Sequence, residues 1–163
     1  MITTYTTYAD VRAVIGVSED EVEDATLALS LYDDKLALEM LEISPNLPAL
    51  YTLTLAIAEG SRTLAQKKLV LLTRLFATYQ VARHLGIGLP MAGPKSISDG
   101  KASMSRFAGE PYKQTLAALE ENFQRAKQQL SETLAELGES TNGQVALPFL
   151  TGAAPSVDRV TNA

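Results

Sequence analysis

Between Tyr112 and Leu137, large apolar side chains recur at steps of three or four: Tyr112, Leu116, Leu119, Phe123, Ala126, Leu130, Leu134 and Leu137. At 3.6 residues per turn these positions form one narrow stripe of the bundle or coiled-coil type. Pro111 suits the first turn of such a helix, and Gly138 is placed to end it. A second long helix is predicted from a cap at Ser61 to about Leu85, with Gly86 as its left-handed terminating residue. Its broad face of Leu69, Leu72, Leu75, Phe76, Tyr79 and Ala82 suits a central core helix. Lys67 and Arg74 lie on the opposite face, either simply solvated or contacting a partner. The fold class expected is mainly α, a helical bundle.

The first third is less regular. Thr7 is a plausible N-cap for a short helix carrying Val11, Val14 and Ile15, with Gly16 at its end. Ser18-Glu19-Asp20-Glu21 reads as a capping box opening another helix, its acids at the positive end of the dipole. From Leu27 to Ile43 the pattern is mixed. Leu27, Leu29 and Leu31 alternate as in a strand, whereas Leu36, Met40 and Ile43 have helical spacing, which favours a helix from about Asp33. Pro45 and Pro48 predict a break, and Tyr51 to Leu55 fits a strand or a short helix.

Length and composition narrow the class. A chain of 163 residues with 46% hydrophobic content is the size of one domain and can bury a core. The absence of cysteine excludes a disulfide scaffold, a thiolate metal site and a cysteine nucleophile, and fits a reducing cytoplasm. Met1-Ile-Thr-Thr-Tyr5 lacks the layout of a signal peptide, and the apolar stretch Leu47 to Ala58 is too short to span a bilayer. A soluble protein without membrane contact is expected.

Charge is unevenly spread. Residues 1–60 hold 11 acids and 2 bases, residues 61–113 hold 9 bases and 2 acids, and residues 114–163 hold 3 bases and 6 acids. These segments either neutralise one another within one fold or give the molecule an acidic edge and a basic edge. In the second case copies can pack head-to-tail, and a heterologous contact that closes makes a ring.

A Gly/Pro-rich linker, Gly86 to Pro94, is predicted to lead into a polar segment, 94–107, built around Asp99-Gly100. That dipeptide favours a tight turn, and the serine-rich flanks have too few apolar residues for a sheet face. A projecting β-hairpin or extended loop is expected, bearing Lys95, Ser98, Lys101 and Arg106. After a helical domain of residues 1–137, residues 138–163 form an extended tail. Its composition predicts disorder in isolation, and neighbouring chains are expected to hold it, with Leu147, Phe149 and Leu150 among its apolar anchors.

The chain offers little catalytic chemistry. His84 stands alone and is read as a dipole partner at a helix C-terminus. Ser98-Asp-Gly-Lys101 has Ser-x-x-Lys spacing but straddles a turn where the motif should open a helix. Gly88 to Ser96 approaches a phosphate loop, yet Pro94 removes a needed amide and the segment follows a helix instead of a strand. Gly86-x-Gly88 fails the dinucleotide fingerprint for the same reason. Asp33-Asp34 and Glu120-Glu121 are adjacent pairs that diverge by about 100° on a helix. The expectation is a non-enzymatic protein with no cofactor.

The early helix Tyr8-Ala-Asp-Val-Arg-Ala-Val-Ile-Gly16 and the central helix Leu72-Thr-Arg-Leu-Phe-Ala-Thr-Tyr-Gln-Val-Ala-Arg-His-Leu85 complete the layout. Pro94-Lys-Ser-Ile-Ser-Asp-Gly-Lys-Ala-Ser-Met-Ser-Arg-Phe107 follows, and then the closing helix. This arrangement resembles the head-tail connector (adaptor) proteins of tailed bacteriophages over residues about 5 to 137. The Asp-Gly segment between two helices is its most characteristic part. The resemblance implies a virion neck protein, assembled in the host cytoplasm as a homo-oligomeric ring, commonly of twelve subunits. Such a ring sits beneath the portal protein, extends the DNA channel and presents a surface to tail or tail-completion proteins. Loop residues Lys95, Ser98, Asp99, Gly100, Lys101 and Arg106 would then face the portal, a neighbour or the lumen. Lys67, Arg74, Leu147, Phe149 and Leu150 would serve subunit or portal contacts. Transient contact with genomic DNA would be non-specific and salt-sensitive. A stopper ring is the alternative within this class, and a nucleic-acid-binding packaging factor using the 61–113 bases is the alternative outside it.

Overall fold

The stripe from Tyr112 to Leu137 becomes one face of α7 (Glu110–Glu136) in the computed structural model, which describes residues 2–92, 97–98, 103–104 and 110–139. Leu119, Phe123, Ala126, Leu130 and Leu134 are buried, while Leu116 and Leu137 are half-buried near the ends. Their partner is α6 (Leu64–Ala92), which contributes Leu69, Phe76, Val81, Leu85 and Leu89 to the shared core. Phe76 and Phe123 meet at 5.3 Å between ring centroids. At the end of α7, Gly138 takes φ +79. The Glu139 and Gly138 amides donate to the carbonyls of Leu134 and Ala135, both at 3.0 Å, the pair of bonds of a Schellman motif.

Both ends of α6 differ from the sequence expectation. Thr63, and not Ser61, caps it. The Thr63 hydroxyl accepts from the Gln66 amide at 3.2 Å, and the Gln66 side chain accepts from the Thr63 amide at 2.9 Å. Ser61 belongs to a preceding 3₁₀ turn, Glu59–Ser61. At the other end the helix runs through Gly86 to Ala92, so most of the expected linker is helical. The reason lies on α7. A Cβ at Gly86 would stand 3.0 Å from Leu116 Cδ2 and 3.7 Å from Leu119 Cδ1, so α7 packs against bare backbone there. That packing outweighs glycine's intrinsic cost in a helix, about 1 kcal/mol. His84 therefore sits inside the helix and not at its terminus, which removes the expected dipole role. Leu75, expected in the core face, is 46% exposed. The inward face is centred one residue away, on Phe76 and Ala77.

The N-terminal third packs against α6. After α1 (Ile2–Tyr5), Thr7 caps α2 (Tyr8–Ile15) by accepting from the Asp10 amide at 3.1 Å, and Gly16 ends α2 at φ +78. The Ser18 box forms only in part. Glu21 accepts from the Ser18 amide at 2.9 Å, but the chain closes into a turn and the expected helix is absent. Buried Arg12 accounts for this: its Nε donates to the Val22 carbonyl at 2.7 Å, and it pairs with Asp24. The Val22 carbonyl is thus committed to a side chain, and helix resumes only in α3 (Asp24–Leu27).

The mixed pattern that follows is helical. In α4 (Ser30–Ile43), Leu36, Met40 and Ile43 are buried, while Leu31 stays exposed, as does Leu29 just before the helix. The helix starts at Ser30, a turn earlier than expected. The open segment around Tyr51 lies in α5 (Leu47–Ala56), where Pro48 occupies the first turn and its missing N–H costs nothing. The Arg62 guanidinium closes α5 by donating to the carbonyls of Thr54, Ile57 and Leu55 at 3.1, 2.9 and 3.0 Å. Between α6 and α7, β1 (Ile97–Ser98) pairs antiparallel with β2 (Ser103–Met104), Ile97 opposite Met104. The rest of 94–107 and the expected tail from Ser140 lie outside the described residues. Among the described residues no helix is long and apolar enough to cross a membrane.

Candidate functional site

The α1–α2 corner and the outer side of α6 bound an open groove of about 610 Å³, lined by Thr3 to Thr7, Asp10, Ala13, Val14, Leu71, Arg74, Leu75 and Thr78. Its floor is fixed by a buried hydrogen bond of 2.6 Å between the Thr6 and Thr78 hydroxyls. Arg74 stands beside it, its Nε donating to the Tyr51 hydroxyl at 3.4 Å. Tyr51 in turn donates to the Thr4 carbonyl at 3.4 Å and packs on Tyr5 with ring centroids 5.0 Å apart. Burial, and then the neighbouring Tyr51, raises the Tyr5 hydroxyl above the ordinary tyrosine range.

Lys67 lies two turns before Arg74 on the same side of α6, and both are exposed. Leu64, Leu71 and Leu75 accompany them at 72%, 60% and 46% exposure. Together they make a ridge of exposed leucines flanked by two cations on the outer side of α6. The Leu64-x-x-Lys67-x-x-x-Leu71-x-x-Arg74 spacing of this ridge was visible in the sequence, but its leucines are separated from the core set only by burial.

A second charged cluster joins three helices. Arg83 of α6 pairs with Glu39 of α4 at 3.4 Å and with Glu120 of α7 at 3.1 Å, and lies 4.0 Å above the Phe123 ring. Lys127 reaches the other oxygen of Glu39 at 3.3 Å. Glu120 is held below the usual carboxylate range first by its hydrogen bond with Gln124 and then by Arg83, against opposing desolvation. Here charge binds elements of the fold together.

His84 adjoins this cluster. Lys35 Nζ lies 3.4 Å from its Nδ1, and lysine can only donate, so Nδ1 is the acceptor and Nε2 carries the proton. With Nε2 as the donor, the Gln80 amide 3.1 Å away is assigned with its oxygen facing the ring. Burial, then Lys35, then Arg83 push the His84 pKa down.

Of the residues expected at contacts, Lys67 and Arg74 share the outer face of α6. Ser98 falls in β1 opposite Ser103, described here only by its backbone pairing. Lys95, Asp99, Gly100, Lys101, Arg106, Leu147, Phe149 and Leu150 lie outside the described residues. Among the described residues, no three His, Asp or Glu side chains are grouped so as to hold a metal ion. No protein-family model, no curated protein and no solved structure matches the chain.

Proposed function

We propose that this chain is a structural protein of a tailed bacteriophage, a head-tail connector that assembles as a ring beneath the portal and extends the DNA channel. The observation that carries the proposal is the polar sequence segment 94–107 with its Asp99-Gly100 dipeptide, set between a central and a closing helix. The extended pairing of α6 with α7 supports reading these two helices as a stem, and residues 97–98 and 103–104 between them pair as a two-residue antiparallel ladder. The outer ridge of α6, with Lys67 and Arg74, offers a surface for a neighbouring subunit or for the portal. A stopper ring would use the same features.

The test is co-sedimentation of the purified protein with rings of its cognate portal. Stoichiometric co-sedimentation supports the connector reading. Indifference to portal, together with salt-dependent retention on duplex DNA, would instead support a packaging factor using the bases of residues 61–113.

A further inference from the structure

Two exposed helix faces of this chain match in spacing and oppose in charge. On α4, Leu31 and Leu38 are 54% and 59% exposed, and Asp34 and Glu42 are exposed beside them. On α6 the corresponding set is Leu64, Leu71, Lys67 and Arg74. Counting from the first leucine, α4 places an acid at the third step, a leucine at the seventh and an acid at the eleventh. The α6 face places a base at the third step, a leucine at the seventh and a base at the tenth. Each stripe is about 16 Å long at 1.5 Å per residue. Asp34, Glu42 and Lys67 make no ion pair among the described residues, and Arg74 has only its Tyr51 contact.

We infer that the α4 stripe of one copy docks in parallel on the α6 stripe of the next, placing Asp34 beside Lys67 and Glu42 beside Arg74. In parallel register the leucines superpose as well, whereas the antiparallel alignment that superposes them, Leu31 on Leu71 and Leu38 on Leu64, leaves Glu42 and Arg74 without an opposite charge. The two halves cannot meet within one chain. Lys35, next to Asp34, contacts His84, and Lys67 lies seventeen residues before His84, about 25 Å along the α6 axis. Each copy carries one half of each sign, so the contact is heterologous and propagates from copy to copy. A second copy is the occupant because both complementary surfaces belong to this chain. The inference rests on the proposed ring-forming function and assigns its subunit interface.

The chain has no cysteine, so introduced thiols report the contact without background. Oxidation of the D34C/K67C variant should give a ladder of disulfide-linked oligomers on a denaturing gel. The single variants D34C and K67C, mixed, should stop at a mixed dimer. Leu38→Glu or Leu71→Glu, each at an exposed position and checked for unchanged helical circular dichroism, should cut the ladder at least tenfold. Absence of a ladder, or one that survives both glutamates, overturns this interface. Portal co-sedimentation remains an independent test of the connector reading, so the two failures can be told apart.

Discussion

The Tyr112 hydroxyl donates to the Gly86 carbonyl, joining α7 to α6 at a point where α6 lacks its own donor. In a regular helix the Gly86 carbonyl would accept from the amide of residue 90. That residue is Pro90, which has no N–H, so the acceptor is left for a side chain of the neighbouring helix. Proline and tyrosine therefore act as a pair, and the proline sits inside a helix that continues past it.

Removing the phenol should expose this dependence. Tyr112→Phe leaves the buried carbonyl without a donor and is expected to cost about 1–2 kcal/mol in denaturant unfolding. Pro90→Ala restores an amide at residue 90, so the cost of Tyr112→Phe should shrink in that background. Equal costs in both backgrounds would separate the two residues.

The two glycines within α6, Gly86 and Gly88, should respond differently to alanine. Nothing lies within 4 Å of a Cβ at Gly88, and Gly88→Ala is expected to stabilise by about 0.5–1 kcal/mol through helix propensity. At Gly86 the new methyl would meet Leu116 at 3.0 Å, cancelling that gain. Gly86→Val should lower stability by about 2 kcal/mol by crowding the α6–α7 interface. Thermal unfolding of the three variants provides the comparison.

Arg83 holds α4, α6 and α7 through Glu39, Glu120 and the Phe123 face. Arg83→Ala is expected to destabilise by about 2 kcal/mol, since it removes a cation–π contact and leaves Glu39 with Lys127 as its remaining ion-pair partner. Arg83→Lys should recover only part of this, because an ammonium cannot fork between two carboxylates while stacking on a ring. Chemical denaturation of both variants tests the ranking.

His84 gives the fold a pH dependence of defined sign. Its pKa is lowered in the folded state, so as pH falls the unfolded chain takes up the proton first. The histidine's contribution is fully present above about pH 6.5, the ordinary histidine value, and is lost as pH falls from there toward the lower folded-state value. Wild type should therefore lose more stability than His84→Gln between pH 7 and 5, by at most about 1.4 kcal/mol per pH unit. Parallel melting curves across that range would contradict a neutral, acceptor Nδ1.

The elements legible in the sequence are those whose signals are local. Thr7 and Gly16 bracket α2 with a cap bond and a left-handed residue a few positions apart. The stripe of α7 depends only on spacing, and Gly138 ends it through bonds within one turn. The continuation of α6 past Gly86 depends on Leu116 and Tyr112, far along the chain, so a rule for glycine at helix ends misreads it. The Ser18 turn is decided by Arg12, a charged residue that hydrophobic periodicity leaves unplaced. Of the candidate surface, Lys67 and Arg74 were legible as charges opposite the core face. Leu64, Leu71, Leu31 and Leu38 were not, because an exposed leucine and a buried one read alike until the core is assembled.

The most direct test of the connector assignment is the native mass of the protein, alone and mixed with rings of its cognate portal. The assignment predicts a closed ring, or monomers that join each portal ring in a fixed stoichiometric number. A monomer that leaves the mass of the portal unchanged at every ratio would contradict it.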